Sequence, residues 1–191
     1  MTPTMTKITR DSLMTLEAYA KARKEFRARV IEHKKARSVA LGEHLTLLFE
    51  DELTIRYQIQ EMLRAERIQK EPEIAHEIET YNELIGGKGE LGCSLLIEIT
   101  DPAERDAKLR QWTALPKHLY VKTEDGEKHR ARYDERQVGE DRLSSVQYLR
   151  FDVKGRQPIA IGTDLPGFTT ETALDGEQRE ALRADLASDA S

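Results

Sequence analysis

Hydrophobic and polar positions change period several times along the chain, and the clearest register falls between residues 53 and 68. There Ile55, Ile59, Met62 and Leu63 recur at i, i+4, i+7 and i+8, the spacing of one buried helix face. Tyr57, Gln58, Glu61 and Arg64 flank that face at separations of three and four residues, so a helix brings their side chains together at the border of the core. The pattern predicts a helix lying half in the interior with a polar network along one flank.

Upstream, Leu13, Leu16, Ala20, Phe26 and Val30 predict a helix over about residues 9–37, capped by Thr9 or Asp11. Arg23 falls on its apolar stripe, which leaves two alternatives: a break near 20–24, or an acidic partner for Arg23. Val39, Leu41, Leu45, Leu47 and Phe49 alternate around Gly42 and Glu43, the pattern of a hairpin or bent strand. Glu50, Asp51 and Glu52 then suit the positive end of the central helix. Pro72, Ile74, Ile78, Tyr81 and Ile85 predict a second helix over 72–85, stopped by Gly86, Gly87 and Gly89.

Residues 91–100 alternate as a strand with Cys93, Leu95, Ile97 and Ile99 on one face. Asp101, Pro102 and Glu104 open a helix that runs to about Ala114. Asp125-Gly126 and Lys154-Gly155 mark hairpins in the strand-rich remainder, and a terminal helix is expected over 175–187. The expected architecture is a single α+β domain over residues 9–187, with N-terminal helices packed on a mostly antiparallel β-sheet. A flexible start at 1–8 and a frayed end at 188–191 complete it.

Composition narrows the partners. The chain has 191 residues, 34% of them charged and 6% aromatic, with 38% hydrophobic content, enough for a buried core under an ionic surface. A net charge of -5 argues against attraction of the whole protein to nucleic acid or an anionic membrane. One segment runs the other way: between Lys21 and Arg37, eight lysines and arginines face only Glu25 and Glu32. Such a run serves either as a solvated helix face or as a binding patch for phosphate, carboxylate or an acidic partner. Cys93 is the single cysteine, so this chain alone builds neither a disulfide nor a cysteine-rich metal site. No secretory leader and no run of about 18 apolar residues is present, so a cytoplasmic location is expected.

The familiar catalytic signatures are missing: no nucleophile elbow, phosphate loop, dinucleotide fingerprint or zinc-protease motif occurs. The glycines at 86–89 follow a helix rather than open one, which is the wrong order for a phosphate loop. Glu73 and His76 have the spacing of one di-iron ligand pair, but in a single copy on the polar side of their helix. His118 and His129 lie on opposite arms of a hairpin without a third ligand nearby. No metal or cofactor is therefore assigned, and Glu61 beside Tyr57 is the best general acid-base candidate.

The run FRARVIEHKKARSVALGEHLTLLFEDELTIRYQIQEMLRAE, from Phe26 to Glu66, resembles a bacterial family catalogued as domain of unknown function 3501. The likeness extends to EIETYNELI and LGCSLLIEI and marks Arg27, Lys34, Arg37, Glu50, Gln58, Glu61, Met62 and Arg64 as motif positions. Members of that family are encoded beside rubrerythrin-like proteins and iron-sulfur proteins, so the resemblance implies work in a redox or oxidative-stress system. It carries over no catalytic residue. The leading expectation is an accessory protein that contacts an iron-sulfur or rubrerythrin-like partner through the basic helix and the polar flank of the central helix, as a monomer or a homo-oligomer. The competing expectation is a small enzyme or anion-binding protein whose pocket is lined by Arg27, Arg56, Tyr57, Gln58, Glu61 and Arg64.

Overall fold

The computed structural model describes residues 7–187, and among these eight strands form one antiparallel sheet. They are β1 (Ser38–Leu41), β2 (Leu45–Glu50), β3 (Glu90–Ile97), β4 (Leu119–Thr123), β5 (Lys128–Arg132), β6 (Val146–Asp152), β7 (Pro158–Leu165) and β8 (Phe168–Ala173). Their order across the sheet is β1-β2-β3-β6-β5-β4-β7-β8. The two end strands come back together: β1 lies against β8, with the Phe168 ring 3.0 Å from where a Cβ on Gly42 would stand. The sheet is nearly closed as a barrel, which corrects the expectation of N-terminal helices packed simply on a sheet. Alternation within each strand defines two faces but says nothing about which edges meet, so closure was not legible in the periodicity.

Closure sorts the alternation into an inside and an outside. Leu45, Leu47 and Phe49 of β2 point inward with Cys93 and Leu95 of β3 and Leu149 and Phe151 of β6. Phe49 and Phe151 lie with ring centroids 6.4 Å apart and are fully buried, so truncating either to alanine is expected to cost about 3–5 kcal/mol. Helices complete this core. Leu109 of α4 (Pro102–Gln111), Trp112 and Leu115 of α5 (Leu115–His118) enter it, with Trp112 stacked 5.0 Å from Phe168. Leu182 and Leu186 come from α6 (Gly176–Ala187).

Three further helices lie outside the barrel: α1 (Leu16–Lys35), α2 (Glu52–Ala65) and α3 (Glu71–Asn82). Ile55, Ile59 and Leu63 of α2 pack with Ile74, Ile85 and Ile8, while Tyr19, Phe26 and Val30 of α1 pack with Leu53. Met62, expected on the buried face of α2, is only half-buried. The first helix is one unbroken stretch of 20 residues and begins at Leu16, where the Thr15 hydroxyl accepts the Ala18 N–H at 3.1 Å. Residues 1–6 and 188–191, which the sequence reading placed in loose ends, lie outside the described residues. Ile8 is buried, and both its backbone groups bond to the Asn82 amide at 2.8 and 2.9 Å.

Candidate functional site

The outward positions of β2, β3 and β6 form the floor of a chamber roofed by α2 and α3. Register aligns them in rows: Leu48, Ser94 and Tyr148 face one another across the three strands, as do Glu50, Gly92 and Arg150. Gly92 is what lets the roof close. A Cβ there would fall 1.9 Å from the Leu84 carbonyl oxygen, so only glycine allows the turn after α3 to rest on the sheet. That turn seats Leu84 and Tyr81 over the strands and leaves a cavity of about 270 Å³, close to the lower end of small-molecule sites. Gln58, Thr54 and Ile55 of α2 and Lys34 of α1 complete its wall.

Glu50 sits on this floor with 8% of its surface exposed. It is the last residue of β2, not part of the helix terminus to which the sequence pattern assigned it. Asp51 caps α2 instead, in a reciprocal capping box with Thr54 made of two 3.0 Å bonds. The Thr54 hydroxyl also donates to Glu50 Oε2, and the Ser94 hydroxyl donates to Oε1 at 2.9 Å. Burial pushes the Glu50 carboxyl above the ordinary glutamate range, while those two hydroxyls and the Lys34 charge pull it back. No cation pairs with Glu50 within salt-bridge distance among the described residues. The result is a buried, hydrogen-bonded carboxyl whose charged form is disfavoured, beside a cavity.

The opposite flank of α2 behaves differently. Glu61 receives two bonds from the Arg23 guanidinium at 2.8 and 2.9 Å, one from the Tyr19 hydroxyl at 2.7 Å and a long one from Tyr57 at 3.4 Å. Arg23 therefore takes the acidic partner on an unbroken helix. The Arg23 bonds, outweighing burial and helped by Tyr19, hold the Glu61 carboxyl down at about 2. A carboxylate so fully paired is a structural anchor, which removes Glu61 from the acid-base role that its spacing suggested.

The remaining residues singled out from the sequence scatter over several surfaces. Arg56 lies 3.0 Å from Glu52 and 5.4 Å over the Phe26 ring, and the Lys34 ammonium lies 5.4 Å over the Tyr57 ring. Arg27 and Arg64 line a shallow outer groove between α1 and α2, beside Lys24 and Ile31. Arg37 is 9% exposed and grips Asp185 of α6 at 2.7 and 3.1 Å, with Asp51 3.3 Å away. It ties α6 to the start of α2 and cannot serve as a surface contact. Of the nine candidate residues, only Lys34, Glu50 and Gln58 meet at the chamber. Ser94, Tyr81 and Tyr148 join them unannounced. Strand alternation could have found Ser94 and Tyr148, because each stands opposite in phase to its inward neighbours.

Two other features draw the eye and carry less chemistry. A larger cleft, about 890 Å³, lies beside the turns at Gly89 and Gly155 and is lined by Lys88, Lys154, Arg156 and Arg183. Arg156 is already bound there by Asp125 at 2.8 Å and by Glu127. Asp125 and Glu127 also bring ligand atoms within 4.8 Å of His129, a grouping that His129 and His118 alone did not suggest. Arg156 supplies the positive charge to both carboxylates and Thr123 bonds the His129 ring at 3.0 Å, while His118 turns away to Asp164. Cys93 is buried in the barrel, and burial raises its thiol well above the ordinary range. Among the described residues no helix is long and apolar enough to cross a membrane.

No curated protein matches the chain. A crystal structure described as a novel protein of unknown function from Burkholderia pseudomallei K96243 is similar to it, with 37% sequence identity and a TM-score of 0.87 over 95% of this chain and 100% of the other. The family model described as "Protein of unknown function (DUF3501)" matches residues 7–186, in agreement with the resemblance seen in the sequence, and the chain belongs to that family.

Proposed function

We propose that this protein binds a small organic molecule in the chamber between α2, α3 and the outer face of β2, β3 and β6, and that Glu50 exchanges a proton with it. The observation that carries this reading is the buried Glu50 carboxyl, unpaired by any cation at salt-bridge distance among the described residues, on the floor of a preformed cavity. A group whose pKa is raised by burial can hold a proton for transfer nearer neutrality than a solvated glutamate can. Phenol and imidazole are suitable probes, since each offers one polar hydrogen on a flat ring. Ligand-observed NMR across a pH series should show phenol binding that changes as a single group titrates above the ordinary glutamate range. Glu50→Gln should abolish that pH dependence without lowering the unfolding temperature. Binding that ignores both pH and this substitution would overturn the proposal.

A second reading concerns a partner. The outer groove carries Lys24, Arg27 and Arg64 around Ile31, which is 51% exposed, and this charge complements an acidic protein surface. It supports docking of an acidic iron-sulfur or rubrerythrin-like partner, the association that the family resemblance implies. Pull-down of such a partner by the wild type and by Lys24→Glu with Arg27→Glu tests it, and equal recovery would end it.

A further inference from the structure

The row that holds Glu50 continues past the chamber. Glu50 of β2 aligns with Gly92 of β3, Gly92 with Arg150 of β6, and Arg150 with Arg132 of β5, all on the outer face. Two arginines thus stand directly opposite each other on neighbouring strands, a pairing that is unfavourable unless an anion lies between or beside them. Their neutralisation is incomplete. Arg150 donates to the Glu83 carbonyl and has no carboxylate within salt-bridge distance among the described residues. Arg132 is 68% exposed and meets Glu90 and Asp152 only at 3.8 Å. Two further acids line the cavity: Asp134 is taken by Arg136 at 2.5 Å, and the Glu83 carboxylate has neither arginine within salt-bridge distance, while Glu90 accepts the Gly87 N–H at 3.2 Å.

Both arginines line a second cavity of about 610 Å³. Tyr81, Leu84 and Tyr148 line this cavity and the Glu50 chamber alike, so the two share a wall of aromatic and aliphatic surface. Neighbouring strands lie about 4.8 Å apart, which places the Arg150 and Arg132 backbones roughly 10 and 14 Å from that of Glu50. Flat rings pack well against tyrosine faces, and an arginine fork matches the two oxygens of a carboxylate.

Resting on the proposed role of the chamber, we infer that the two cavities form one cleft for an elongated aromatic carboxylate. Arg132 and Arg150 hold its anionic end, Tyr81 and Tyr148 flank its ring, and its hydroxyl or amine end reaches Glu50. Isothermal titration of the full chain with 4-hydroxycinnamate, its methyl ester and phenol tests this. The acid should bind at least about tenfold more tightly than the ester, the value of one charge-assisted contact. Arg132→Gln, at an exposed position, should reduce that advantage at least about threefold and leave phenol binding unchanged. Equal affinity for acid and ester, or an advantage undiminished by Arg132→Gln, overturns the anionic end while phenol binding keeps the chamber reading intact. If phenol fails to bind as well, the chamber reading falls and this inference falls with it.

Discussion

The two flanks of α2 present the same residue type in opposite circumstances. On the outer flank, Glu61 is surrounded by Arg23, Tyr19 and Tyr57 and is held ionised. Facing the inner flank, Glu50 receives two hydroxyl bonds, from Thr54 and Ser94, and is pushed toward its protonated form by burial. The first arrangement binds two helices together and leaves the carboxylate no capacity for chemistry. The second leaves a carboxyl whose charged form is disfavoured by burial on the wall of a cavity. A cluster of complementary charges is thus a poor guide to a site, and an incompletely partnered buried group is a better one.

Substitutions can break this comparison, beginning where pairing is deepest. Arg37→Met should destabilise the protein by about 3–5 kcal/mol, because it removes the buried guanidinium that binds the Asp185 carboxylate at 2.7 Å and lies 3.3 Å from Asp51. Urea unfolding checks this, and a negligible loss would show that paired ions here are not structural. Gly92→Ala should cost about 1–3 kcal/mol by forcing its methyl against the Leu84 carbonyl, and should weaken phenol binding by displacing the roof of the chamber. Loss of stability with binding intact would detach the roof from the site.

Glu61→Gln should cost about 1–2 kcal/mol at neutral pH, a value discounted for its partial exposure. The sign of its pH dependence follows from the depressed pKa. Glu61 stabilises the fold above the ordinary value of 4.5, and that contribution is lost as pH falls toward about 2, so wild type and variant should converge in acid. Glu50→Gln should have the smallest effect, below about 1 kcal/mol at neutral pH, and of opposite sign. A raised carboxyl pKa means that the wild-type contribution is complete below the ordinary range and declines as pH rises through the folded value. The variant should therefore gain relative stability with increasing pH, which thermal unfolding from about pH 4 to about pH 9 would show.

Much of the chain was legible in local pattern. The period of Ile55, Ile59 and Leu63 placed α2, the alternation from Leu45 to Phe49 placed β2, and Asp101 with Pro102 placed the start of α4. Arg23 on an apolar stripe signalled either a break in the helix or an acidic partner, and Glu61 on an unbroken α1 decides for the partner. What could not be read was pairing at a distance. The same letters fit an open sheet or a nearly closed barrel until strand order is known, and Arg37 reads as a surface cation until Asp185, 148 residues away, is seen beside it. The chamber was hidden for the same reason. Glu50 comes from one strand, Ser94 from a second, Tyr148 from a third and Tyr81 from a helix, and only the register brings them together.

The difference between the two flanks reduces to two titrating carboxyls in one molecule. Carbon-13 NMR of protein labelled at the glutamate carboxyls, followed through a pH titration, reads both directly. The expected result is a Glu61 midpoint of about 2 and a Glu50 midpoint above the ordinary glutamate range, the latter signal assigned by its disappearance in Glu50→Gln. A Glu50 midpoint at or below that of the solvated glutamates would contradict a proton-exchanging chamber.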